Sequence, residues 1–134
     1  MGQSSLSALL AKLKHAWLAQ STLNMEAIET FEFRGLIGGR ALFSITTNEF
    51  MHALRDIGWR EAHNAHILQK LRERGRLWGI NTPEDFARAL RNGYTILAHE
   101  GAKARVCCNG MCWVIFREAE RTLITIRHPG NEQD

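Results

Sequence analysis

Apolar positions along this chain change rhythm twice. At the start, Leu6, Leu9, Leu10, Leu13 and Trp17 recur at helical spacing with lysines between them, which predicts an amphipathic helix. The stretch "TFEFRGLIGGRALFSITT" alternates instead. Phe31 and Phe33 are separated by polar residues, Gly38-Gly39 supplies a turn, and "ALFSI" resumes an extended pattern, so a hairpin is expected. From Thr46 the helical spacing returns. Thr46 and Glu49 make a capping box that opens a helix buried through Phe50, Leu54 and Ile57. Gly58 interrupts it, and a second helix is expected over residues 59–74, ended by Gly75 in a left-handed cap. "NTPEDFARALRNG" then carries a full set of helix signals: Thr82 as N-cap, Pro83 in the first turn, Glu84 and Asp85 beside it, and Asn92-Gly93 as the stop.

After Gly93 the period falls to two. "YTILAH", "KARVCC", "MCWVIFR" and "RTLITIRH" are short β-rich runs separated by Glu100-Gly101, Asn109-Gly110 and "EAE". Asn-Gly between two such runs signals a hairpin with a type I′ turn. Helices followed by a four-stranded antiparallel meander define an α+β fold. Residues 1–46 read as an N-terminal helix-and-hairpin extension and 47–134 as the α+β domain, the two forming one compact unit.

A chain of 134 residues with 45% apolar and 23% charged positions can build one sizeable core, and disorder throughout is excluded. The net charge of +3 is small, but thirteen of the cationic residues are Arg and four are Lys. A guanidinium fork suits phosphate better than a point charge does, which leans toward an anionic partner. No apolar run is long enough to span a membrane, and Lys12, Lys14 and His15 break the N-terminal stretch where a signal peptide needs an unbroken apolar centre. No membrane partner is therefore expected. The three cysteines all lie within "VCCNGMC", which is not a secreted disulfide framework, so a reducing, cytoplasmic setting is expected. A two-residue Asn109-Gly110 loop sets Cys107 opposite Cys112. Together with His99 and Cys108 they offer zinc-type ligands, but adjacent strand residues point to opposite faces, so free thiols are the expectation and no metal or cofactor is assigned.

Chemistry concentrates in "AHILQKLRERG". His66, Lys70 and Arg74 are four apart, so they form one stripe along a helix, with His63 and Arg72 off to its sides. Such a stripe is commonly a solvated face. It is also what a phosphate site needs: an imidazole to move a proton and cations to stabilise developing charge. On the last strand, strict alternation puts Leu123, Thr125 and Arg127 on one face and Ile124, Ile126 and His128 on the other. The isoleucines are then expected against the helices, and Thr125 and Arg127 outward, where Arg105 of a neighbouring strand can join them to grip a phosphate. A helix on the back of this sheet could bring His66 to those residues only at a shared edge.

"HILQKLRERG", followed by "INTPEDFARALRNG" and a terminal meander ending "RTLITIRH", resembles a family of small toxin-like domains in the barnase–EndoU–colicin–RelE ribonuclease superfamily. The resemblance covers residues 65–128. His66, Lys70, Arg74 and Gly75 match its first motif and "NTPEDF" its second, with "RLWG" inserted between them. It implies metal-independent cleavage of tRNA or mRNA by attack of a ribose 2′-hydroxyl on the adjacent phosphate. His66, Lys70, Arg74 and Thr125 would be the catalytic set, and Arg72, Arg105 and Arg127 the substrate-binding one. The resemblance also implies RNA as partner and a tight-binding antitoxin or immunity protein. Two other readings stand beside it. "NEFMHALRDIGWREAHNAHILQKLRERG" could form a helix-turn-helix that binds nucleic acid without cutting it, or the chain could be a small interaction or inhibitor protein.

Overall fold

The structure, a computed structural model, describes residues 27–34, 37–64 and 66–128. The helix expected over residues 6–17 lies outside them. Within them the order is helix α1 (Thr47–Asp56), strand β1 (Arg60–Glu61), helices α2 (His66–Arg74) and α3 (Pro83–Asn92), then strands β2 (Tyr94–Leu97), β3 (Lys103–Cys107), β4 (Cys112–Arg117) and β5 (Thr122–Arg127). The fold is α+β, as expected. The sheet has five strands in the order β1-β5-β4-β3-β2, antiparallel except that β1 lies parallel to β5.

Local signals account for two helices. Thr46 accepts from the Glu49 amide at 3.1 Å while the Glu49 carboxylate accepts from the Thr46 amide at 2.9 Å, so α1 opens on a reciprocal capping box. Thr82 and Asp85 repeat the arrangement at α3, with Pro83 in its first turn. Gly93 ends α3 for a steric reason: a Cβ there would sit 2.3 Å from the Val106 carbonyl oxygen, so only glycine lets the helix end press onto β3.

Three expectations fail, each for a physical reason. The hairpin expected over 31–45 does not form among the described residues; Leu42–Ser44 is a 3-10 turn instead. Phe31 and Phe33 do alternate inward, but into a ring cluster rather than a ladder. The Phe31 ring meets Trp59 at 5.4 Å and Phe86 at 6.0 Å, edge-on in both cases. The helix expected over 59–74 begins only at His66. Trp59 is buried against Phe31 and Phe116, and the Arg60 and Ala62 amides donate to the Arg121 and Leu123 carbonyls, drawing the segment out as β1. That strand between α1 and α2 is not the short turn of a helix-turn-helix. Gly75 is not left-handed either: α2 runs on into a 3-10 turn, Gly75–Trp78, and Gly79 takes the left-handed φ of 73°. What requires glycine at 75 is the Ile80 carbonyl oxygen, 2.6 Å from where a Cβ would stand.

The main core lies between the helices and one sheet face. It joins Phe31, Phe33, Leu42 and Ile45 to Leu54, Ile67, Leu71, Phe86, Val114 and Phe116. The described residues before Thr47 thus share one core with the helices and the sheet. The opposite sheet face carries a smaller cluster of Ala102, Ala104 and Ile115, flanked by Ile96, Trp113 and Ile124.

Candidate functional site

A bulge in β5 decides which side chains can meet. Leu123 pairs with Phe116, but Thr125 pairs with Ile115 and Ile126 with Val114, so Ile124 is the extra residue. Without the bulge Thr125 would lie opposite Val114, which pairs with Arg105. With it, Leu123 and Ile126 both turn into the main core, whereas strict alternation had put them on opposite faces. Thr125 and Arg127 keep the row of Ile115 and Trp113, and Arg105 falls on the helix side.

There Arg105 is buried and fully engaged. Its Nε donates to the Leu90 carbonyl at 2.8 Å, one terminal nitrogen to Thr95 Oγ1 at 2.7 Å and the other to the Arg91 carbonyl at 2.8 Å. The guanidinium caps the C-terminus of α3, where carbonyls lack helical partners and a cation is favoured. Arg105 therefore does not join Thr125 and Arg127 as a phosphate ligand. Arg72 also turns away, its Nε donating to the Leu42 carbonyl at 3.2 Å.

His66 and Thr125 do come together. β1 pairs with β5 only through Leu123, so beyond that residue the edge of β5 is uncovered. The first residue of α2 reaches this edge, and His66 Nε2 lies 2.9 Å from Thr125 Oγ1, joining residues 59 apart in sequence. Glu61 makes this start of α2 possible. Its buried side chain accepts from the Ile67 amide at 2.7 Å, satisfying a first-turn donor that has no partner within the helix. Sequence reading missed Glu61 because it had placed the residue inside a helix. The only available signal was an acid shortly ahead of an apolar helical run.

Around the pair, the His63 ring stands 6.0 Å from that of His66, edge to face. Lys70 lies one turn along α2 and Arg74 one turn further, both half-buried. Burial holds the His66 pKa below its ordinary 6.5, and the charges of Lys70 and His63 push the same way, against Glu73. The imidazole is therefore neutral near pH 7, with one nitrogen free to take a proton. Arg127 lies on β5 two residues beyond Thr125, its Nε buried without a hydrogen-bond partner.

The cysteines form the expected hairpin pair, Cys107 opposite Cys112, and all three thiols are free. Cys108 takes a left-handed φ of 51°, followed by Asn109 and Gly110 at 59° and 84°. It thus leaves the strand alternation that was expected to point it away from its neighbours, and its thiol interacts with Cys112. Among the described residues no group of three or more His, Cys, Asp or Glu side chains is arranged to hold a metal ion, and no helix is long and apolar enough to cross a membrane.

What the fold and site define is a small α+β domain with a histidine–threonine contact at an open sheet edge. No family model, no curated protein and no solved structure matches this chain.

Proposed function

We propose that this domain is a ribonuclease that cleaves tRNA or mRNA by attack of the 2′-hydroxyl on the neighbouring phosphate, without a metal. The observation that carries the reading is the 2.9 Å contact between His66 and Thr125. It brings a neutral, half-buried imidazole beside a hydroxyl at the sheet edge, with Lys70 one turn along the same helix. His66 removes the 2′-hydroxyl proton, and the resulting oxygen forms the new bond to phosphorus as the bond to the 5′-oxygen breaks. Lys70, Arg74 and Arg127 stabilise charge on the phosphorane, Thr125 orients the imidazole, and His63 returns a proton to the leaving oxygen. The products are a cyclic phosphate and a free 5′-hydroxyl. Such an activity would act in the cytoplasm and require a tight-binding antitoxin or immunity protein to protect its producer.

The test is cleavage of total RNA by purified protein in excess chelator. His66→Ala should lower the rate by about a hundredfold to ten-thousandfold, the range for losing a general base, while keeping the fold. Arg74→Lys should also lower it, because an ammonium cannot present a fork to two phosphate oxygens. Equal cleavage by all three proteins, or none by the wild type, refutes the assignment.

A further inference from the structure

We propose that the sheet face turned away from the helices binds single-stranded RNA and seats one base in a cleft at its far edge; this rests on the ribonuclease reading and extends it to the strand carrying the reacting bond. The registers set Arg127 beside Trp113, Trp113 beside Val106 and Val106 beside Tyr94. One row therefore crosses the sheet from the strand that carries Thr125 to the opposite edge. With strands about 4.8 Å apart the row is roughly 14 Å long, the reach of a few nucleotides. It starts at the Arg127 guanidinium, whose Nε is buried and unpartnered. It passes the half-buried Trp113 and ends at Tyr94, whose side chain is 63% exposed. Val106, itself buried, lies low between the two rings.

Tyr94 also lines a cleft of about 610 Å³ with Arg88, Asn92, Cys108 and Asn109. Two backbone features shape it. Gly93 lets the end of α3 press onto β3, and the left-handed run at residues 108–110 curls the hairpin over. The volume suits a small ligand of nucleotide size. The chemistry suits one too: two side-chain amides that can pair with a base edge, an aromatic ring at the mouth, and a guanidinium held 3.5 Å from Asp85. Rings on a sheet and a cation for the backbone are what an unpaired strand offers contacts to, whereas bases in a duplex are paired and stacked away from such a face.

The experiment uses the full chain and a fluorescently labelled 2′-O-methyl RNA hexamer, which has no free hydroxyl to attack and so reports binding alone. Anisotropy at low salt should show the single strand bound and its duplex bound at least tenfold more weakly. Tyr94→Ala should weaken single-strand binding about tenfold, as expected for losing one base–aromatic stack. Tyr94→Phe should retain binding, and circular dichroism checks that both variants fold. No binding of the hexamer, equal binding by Tyr94→Ala, equal binding of duplex, or equally effective displacement by polyglutamate overturns the proposal. Tyr94-dependent binding with no cleavage of unmodified RNA upholds this surface and removes the ribonuclease reading. Cleavage with undiminished binding by Tyr94→Ala does the reverse.

Discussion

Replacing Arg105 with alanine separates a structural arginine from a substrate-binding one. The side chain donates to the Leu90 and Arg91 carbonyls and to Thr95 Oγ1, all within 2.8 Å, and it is buried. A hydrogen bond to a charged group contributes about 1.5–3 kcal/mol net. The freed carbonyls at the end of α3 can take up water in the vacated space, so the low end applies, and three such bonds give about 4.5 kcal/mol. Total stabilities run to roughly 5–15 kcal/mol, so the loss is a large fraction of the whole. At about 3–5 °C per kcal/mol for a domain of this size, melting should fall by roughly 14–22 °C. Arg105→Lys should recover only part of this, since an ammonium cannot span three acceptors arranged around a planar fork. Thermal and urea melts of wild type and both variants make the comparison. If Arg105→Ala melts within about 2 °C of wild type, the capping role assigned to Arg105 is wrong.

Other consequences can be checked the same way. Gly93→Ala should destabilise strongly, because its Cβ would stand 2.3 Å from the Val106 carbonyl oxygen and backbone must move to admit it; a urea midpoint equal to wild type would contradict the close approach. The Glu49 carboxyl is held at about 2 by the Arg40 guanidinium and the Thr46 amide. Because its folded pKa lies below the ordinary 4.5, its stabilisation is complete above that pH and is lost as pH falls toward about 2. The melting temperature of Glu49→Gln should therefore converge on that of wild type across this window. Burial first, then Lys70, keeps the His66 pKa below 6.5, so the acid limb of cleavage should lie below that pH. In the residual activity of Lys70→Met it should move upward, and an unmoved limb would place Lys70 away from the reacting imidazole.

How far the sequence could be read depends on the range of each signal. Helix α3 was legible from end to end because Thr82, Pro83, Asp85 and Gly93 act within a few residues of where they stand. The meander was legible for the same reason, its Asn-Gly turn and alternating strands being local. Phe31 and Phe33 misled because alternation reports burial of an extended chain and says nothing about whether a partner strand lies beside it. The pairing of β1 with β5 joins Arg60 to Thr122 and has no local mark at all; a helical reading of Trp59 and Glu61 was natural without it. At the site, a meeting of His66 with the last strand at a shared edge was legible, and the structure places Thr125 there. Arg105 faces the helices because it pairs with the core residue Val114, a register that a charged residue in a strand does not announce. Ile124 bulges from β5, and each side chain beyond it falls opposite a different partner from the one that even alternation would give.

The chemistry of the cut ends distinguishes attack by the 2′-hydroxyl from attack by water. A short single-stranded RNA should be incubated with wild-type protein and with His66→Ala in excess chelator, and the fragments resolved by mass spectrometry. Attack by the 2′-hydroxyl should leave a 2′,3′-cyclic phosphate on one fragment and a 5′-hydroxyl on the other, formed by the wild type and lost with His66. Fragments ending in a 3′-hydroxyl and a 5′-phosphate, or an intact RNA with wild-type protein, would contradict it.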